Sequence, residues 1–267
     1  MLFSVRHRTL YAYSAPVRLG DHLLRLRPRQ TGVRIVRESL RIEPAPASQT
    51  ERIDRYGNRT TEVAFAGETD RLLIESRFEL ETDPAPRPWL DEREIRAEFG
   101  GGAGPRVRAY AAELFARTGG DALAFLDALT GDLFARTDRK IRDIGYAQDP
   151  EETLARARGA CRDLTLLFMA AARSQNIPAR FVSGYQAHAE TPDGKRHLHA
   201  WPEVFLPGAG WRGYDPTHGC AAASGHVALC AGADQLSTMP VEGGFFGDGA
   251  TSTLRFDLDI RVGDGRV

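Results

Sequence analysis

The chain has 267 residues, 42% of them hydrophobic and 27% charged, which excludes a disordered chain and fits one large domain or two small ones. Its 35 basic and 36 acidic residues leave a net charge of −1, without the basic excess of a general nucleic-acid binder. No apolar run approaches the ~18–20 residues that span a bilayer, and Met1–Thr9 has neither an apolar core nor a small-residue cleavage site. The expectation is a cytoplasmic protein with neither nucleic acid nor membrane as partner. Three cysteines, Cys161, Cys220 and Cys230, are too few and odd in number for a disulfide framework.

Residues 1 to about 90 read as β-structure. His22–Arg27 moves into apolar/charged alternation, the period of a half-buried strand. Val33–Val36 and Ser39–Ile42 continue it, and Arg71–Leu80 is a further strand. Tyr56-Gly57-Asn58-Arg59 sits between Ile53 and Val63-Ala64-Phe65, and Gly-Asn tolerates positive φ, so a hairpin turn is predicted there. Asn58-Arg59-Thr60 is also a glycosylation sequon, read as chance in the absence of a secretion signal. Residues 1–41 carry nine Arg against Asp21 and Glu38. A solvated sheet face is the plainer explanation, and a surface for an acidic substrate the sharper one.

Asp83-Pro84-Ala85-Pro86-Arg87-Pro88 is a Pro-rich joint, which places a β domain at 1–88 and a second domain at 89–267. After a short helical stretch and Gly100–Gly102, helices are predicted over Pro105–Arg117 and Asp121–Arg136. Asp121 is the N-cap of the second, with Leu123, Leu126, Leu133 and Phe134 as its apolar stripe.

The chemistry is concentrated between residues 159 and 219. Leu164, Leu167, Phe168, Ala171 and Ala172 mark one face of a helix that Asn176-Ile177-Pro178 ends. Cys161 falls at its start, where the helix dipole and unpaired N–H groups favour the thiolate and offer donors to an oxyanion; for this residue taken alone, an inert cysteine packed at the end of a core helix is the plainer explanation. Downstream, the segment Leu198–Leu206 ends as a strand, with Val204 and Leu206 on one face and Phe205 on the other, and Trp211–Tyr214 can return antiparallel beside it after the turn at Pro207–Gly210. His199 and Asp215 then flank one hairpin, close enough for the carboxylate to fix the imidazole tautomer.

These blocks resemble the bacterial transglutaminase-like superfamily, with its papain-like cysteine protease fold. The resemblance lies in Gly159-Ala160-Cys161-Arg162-Asp163, Ile177–Tyr185, His199-Ala200-Trp201 and Gly213-Tyr214-Asp215-Pro216-Thr217. Tyr11–Val17, Leu24–Arg29 and Asp54–Asn58 are similar in texture to the small β domain that often precedes this core. The resemblance implies an α+β fold: an antiparallel β domain, then a Cys-bearing helix packed on an antiparallel sheet carrying His and Asp. It implies Cys161 as nucleophile, His199 as base, Asp215 as the acid that orients it, and no metal or organic cofactor. Family members often have Asn after the Asp-Pro-Thr block, where this chain has His218, and Gly-Arg-Asp where it has Gly232-Ala233-Asp234.

The expected function is thiol-dependent hydrolysis of a peptide or amide bond in a peptide, protein or poly-amino-acid substrate, through a thioester. Transfer of the acyl group to an amine, as in a transglutaminase, is the alternative. A non-catalytic binding module is a second alternative. A rival metal set, His218, Cys220, His226 and Cys230, offers four zinc-compatible side chains within 13 residues, at a spacing that matches no common zinc pattern.

Overall fold

The structure is a computed structural model that describes residues 1–82, 99–100, 102–142, 145–189 and 194–263. The Pro-rich joint at 83–88 and the short helical stretch before Gly100 lie outside the described residues.

The first six strands are β1 (Leu2–Leu19), β2 (His22–Leu24), β3 (Val33–Glu43), β4 (Ser48–Ile53), β5 (Arg59–Ala64) and β6 (Thr69–Thr82). β1 follows the period of two, with Phe3, Val5, His7 and Thr9 all buried on one face. β6 pairs antiparallel with β1 on one side and β3 on the other. β4 and β5 form the expected hairpin, whose turn has Gly57 at φ 76°. The alternation predicted over His22–Arg27 stops early at Leu24. There the Arg25 N–H turns away to the Pro240 carbonyl at 2.8 Å.

The arginine-rich stretch lies on paired sheet faces. Arg6 meets Glu75, Arg25 meets Glu242, Arg27 meets Glu38 and Glu51, and Arg34 meets Glu81. Arg37 and Arg41 likewise meet Glu79 and Glu43. These six of the nine arginines of residues 1–41 are thus paired with carboxylates, most of them on neighbouring strands.

Among the described residues four α-helices follow: α1 (Pro105–Arg117), α2 (Ala122–Arg136), α3 (Pro150–Arg156) and α4 (Cys161–Ser174). Asp121 caps α2 as expected, its side chain accepting from the Ala124 N–H at 2.7 Å. The buried stripe of α2 is Phe125, Leu126, Leu129 and Leu133, whereas Leu123 and Phe134 stay exposed. The predicted stripe is therefore rotated; Leu126 and Leu133 belong to it and the other two do not. Between the helices, β7 (Asp138–Arg139) and β8 (Arg158–Gly159) form a two-residue parallel pair.

The second sheet contains β9 (Ala179–Gln186), β10 (His199–Leu206), β11 (Gly210–Asp215), β12 (Cys220–Ala222) and β13 (His226–Gly232). Its order is β12-β11-β10-β9-β13, and every pairing is antiparallel. The apolar face of α4 packs on this sheet through Leu164, Leu167, Phe168 and Ala171, against Phe181, Val204 and Tyr214.

The chain then returns. β14 (Val241–Glu242) pairs with β2, β15 (Phe245–Phe246) with the end of β1, and β16 (Ser252–Gly263) with β1 from Leu2 to Tyr13. A division at residue 88 assigns 241–263 to the second domain, but these strands complete the sheets of the first. Phe3, Val5, Phe78 and Ile260 from that side share one apolar cluster with Tyr185, Val227 and Leu229 from β9 and β13. Asn58 adds a polar tie: its side chain donates to the Ala231 carbonyl at 2.7 Å and accepts from the Ala231 N–H at 2.8 Å. It is 1% exposed, so in the folded chain the sequon is not a surface site.

Candidate active site

Two elements meet at the site. The first is the start of α4. Its N-cap, Ala160, has no side-chain oxygen, so the usual capping signal is missing. Asp163, at the third helical position, supplies the other half of a capping box by accepting from the Ala160 N–H at 2.7 Å. Its carboxylate is fully buried and also takes both Arg142 guanidinium nitrogens at 2.8 and 3.0 Å. Two Gln148 donors complete the set, the backbone N–H at 2.8 Å and Nε2 at 3.1 Å. Gly159 is needed here because a Cβ would lie 2.9 Å from the Asp163 Cβ. This network fixes the helix end from which half-buried Cys161 projects.

The second element is the sheet edge formed by the start of β10 and the end of β11. His199 and Asp215 are both fully buried, and His199 Nε2 lies 2.8 Å from Asp215 Oδ2. Two further histidines converge on the same oxygen: His218 Nδ1 at 2.8 Å and His226 Nε2 at 2.9 Å. Oδ1 accepts the backbone N–H groups of Thr217 and His218 at 2.9 and 3.2 Å. These donors outweigh the burial that would otherwise raise the Asp215 carboxyl, and hold it well below the ordinary carboxylate range. A carboxylate accepts only, so each ring nitrogen facing it carries a proton. With Nε2–H committed to Asp215, the basic lone pair of neutral His199 is on Nδ1.

The ring of His199 is set by Trp201, stacked beside it with centroids 6.1 Å apart. Two glycines make room for that indole. A Cβ at Gly184, which pairs with His199 across the sheet, would lie 2.7 Å from the Trp201 ring and 2.1 Å from the Val227 carbonyl. One at Gly213 would lie 3.2 Å from the indole nitrogen. Beneath them Arg180 and Glu203 form a buried pair at 2.6 Å, with Arg180 lying over the Trp211 ring.

Cys161 and His199 line a common cavity of about 390 Å³, together with Phe181, Ala200 and Met239. Cys161 also opens to a second cavity of about 400 Å³ that includes Thr217 and His218. The three residues singled out by sequence thus lie at one place: His199 and Asp215 in direct contact, Cys161 across a shared cavity.

The rival metal set does not assemble. Cys220 and Cys230 lie on β12 and β13, at opposite edges of the five-stranded sheet. Burial raises both thiols, that of Cys230 to about 12. Among the described residues, His199, Asp215 and His218 bring ligand-type atoms within 4.8 Å of one another, and neither cysteine joins them. Both histidines of that set serve Asp215 instead. Sequence reading missed this second role, and it missed Asp163. The signal for Asp163 was its place three residues after the N-cap. The signal for His218 was its position at the turn that Asp215 opens.

A thiol at a helix start, facing a His–Asp pair carried on an antiparallel sheet, defines the papain-like class of fold. Residues 3–81 match the bacterial transglutaminase-like N-terminal region, and residues 109–216 match the transglutaminase-like superfamily; the chain belongs to that superfamily. An uncharacterized protein of Mycobacterium tuberculosis is 26% identical over 97% of this chain and 92% of its own length. One from Mycobacterium leprae is also 26% identical, over 97% of this chain and 96% of its own. A crystal structure from Cytophaga hutchinsonii, provisionally assigned as a cysteine protease, has the same fold. Its TM-score is 0.73 at 19% identity, covering 100% of this chain and 92% of that one.

Proposed function

We propose that the protein is a thiol-dependent hydrolase of peptide or amide bonds, with Cys161 as nucleophile, His199 as base and then acid, and Asp215 as the group that orients His199. The observation that carries this reading is the placement of Cys161 at the start of α4 in one cavity with a His199 whose Nε2–H is committed to Asp215 at 2.8 Å.

His199 Nδ1 takes the thiol proton, and the thiolate attacks the substrate carbonyl. The Cys161 backbone N–H, in the first helical turn and without an intrahelical acceptor, faces the oxyanion. Collapse of the tetrahedral adduct breaks the C–N bond, and protonated His199 gives its proton to the leaving amine. Water, activated by the same imidazole, then cleaves the thioester. Hydrolysis is favoured over transfer because both cavities at Cys161 open to solvent, whereas transfer requires water to be kept out.

The test is alkylation with iodoacetamide at pH 6, followed by peptide mapping. Cys161 should react at least tenfold faster than Cys220 or Cys230, whose thiols burial holds protonated. Equal rates at all three would remove the activated-thiol reading. Cys161→Ala should then abolish turnover of a peptide library. Uptake of a labelled amine by a glutamine-containing protein would move the assignment to acyl transfer.

A further inference from the structure

Eleven large apolar side chains are exposed among the described residues, and five of them surround Cys161. Phe134, Ile141 and Phe256 line one of its cavities, and Tyr146 and Leu254 line the other. Their exposures run from 38% for Phe134 to 68% for Tyr146. Single exposed apolar residues are ordinary, but a cluster of them about one reactive group marks a surface meant to be covered.

Two of the five come from the β domain. β16 is paired in continuous register with β1, so Leu254, Phe256, Leu258, Ile260 and Val262 share one face. The last three pack into the apolar cluster between the β domain and the second sheet. Leu254 and Phe256 carry the same face beyond that cluster, out over Cys161. The opposite wall is equally well fixed. The Phe134 ring packs on Gly219, where a Cβ would approach to 2.7 Å, and the Arg139 guanidinium covers it at 4.2 Å from the centroid. Arg142 donates to the Tyr146 carbonyl at 2.7 Å.

The cations in these walls have other occupations. Arg142 is tied to Asp163, Lys140 to Asp138 at 2.9 Å, Arg139 to Phe134, and Arg162 to the Arg142 carbonyl at 2.7 Å. Arg139 and Arg142 position Phe134 and Tyr146, and Lys140 and Arg162 are held by Asp138 and the Arg142 carbonyl.

We propose that the acyl donor carries an apolar side chain beside its scissile carbonyl, and that this side chain is seated between Phe256 and Leu254 of the β domain and the Phe134–Tyr146 wall. The inference rests on Cys161 being the nucleophile. It gives the β domain a specific task, which is to supply one wall of the acyl-donor site.

The experiment uses the whole chain and four N-acetyl amino acid 4-nitrophenyl esters, with Phe, Leu, Ala and Asp side chains. The Cys161 thiolate attacks the ester carbonyl and 4-nitrophenolate departs. The thioester that remains is then hydrolysed. Acylation should be about tenfold faster with the Phe and Leu esters than with the Ala and Asp esters, the scale on which an apolar contact discriminates. Phe256→Ala and Leu254→Thr should each lose most of that preference, with every rate divided by the variant's own iodoacetamide rate. Phe246→Ala, an exposed aromatic of the same domain away from the cleft, should keep it. Wild-type Cys161 that acylates without side-chain preference, or prefers the Asp ester, overturns the apolar seat and leaves the nucleophile intact. Failure of every ester to acylate Cys161 overturns the nucleophile and the seat together. Wild-type selectivity decides the matter even where a variant does not fold.

Discussion

Two carboxylates, equally buried, hold the two halves of the site, and they are surrounded differently. Asp163 sits under the Cys161 helix start with the guanidinium of Arg142 and three neutral N–H donors. Asp215 sits behind His199 with three imidazoles on one oxygen and two backbone N–H groups on the other. The partners of Asp163 are a guanidinium and amide N–H groups, chemical types that do not exchange protons in the working pH range. Every side-chain partner of Asp215 is titratable, so its network is responsive. The same residue type, buried to the same degree, acts as a girder in one place and as part of the proposed chemistry in the other. What separates them is the proton inventory of their neighbours.

The contrast breaks most visibly at Asp215. Asp215→Asn replaces an acceptor of three ring N–H groups with an amide that presents two donors of its own. His199 is then free to take the other tautomer, with its lone pair away from Cys161. Turnover should fall about a thousandfold with the fold retained, the scale expected when the orienting carboxylate of a triad becomes an amide. A loss below about threefold would mean that Asp215 is only a girder as well. Asp163→Asn should do the opposite. It leaves Arg142 and the three neutral donors facing an amide, and about 3 kcal/mol of stability should be lost in chemical denaturation. Because no titratable partner is involved, that loss should be the same at pH 6 and pH 8.

How much of this was legible in the sequence follows the same division. The Cys161 helix was readable from its apolar period, and the His199–Asp215 hairpin from alternation around Pro207–Gly210, because both are local patterns. The completion of the β domain by β16 was not readable. Its alternation from Leu254 to Val262 is plain, but nothing local says that its partner is Leu2–Tyr13, some 240 residues earlier. The α2 stripe was misread by including Leu123 and Phe134. Phe134 lines the cavity at Cys161 and is left out of the core. The His218 and His226 roles were obscured by neighbouring cysteines that suggested zinc. Sheet order decides against that set, by sending Cys220 and Cys230 to opposite edges.

The smallest expected effect concerns His226, the most buried of the two histidines that accompany His199 on Asp215. Burial lowers its proton affinity, and the Asp215 hydrogen bond and charge only partly oppose this. Its Nδ1 is buried with no hydrogen-bond partner, so a second ring proton would have nowhere to go. In the unfolded chain the same ring titrates near its ordinary value of 6.5. Above that pH both states hold it neutral, and it adds no pH dependence. Below it the unfolded state takes up a proton that the folded state resists, so stability falls as the pH falls. His226→Gln keeps an N–H for Asp215 Oδ2 and removes the titration. Denaturation midpoints at pH 7.5 and pH 5 should therefore lie closer together in this variant than in wild type. Its turnover at pH 7.5 should stay within a few fold, because the donor survives. His226→Leu removes both the donor and the titration, and should combine the flattened pH dependence with a clear loss of turnover. If Gln and Leu behaved alike in turnover, the donor to Asp215 would be irrelevant and His226 would be packing alone.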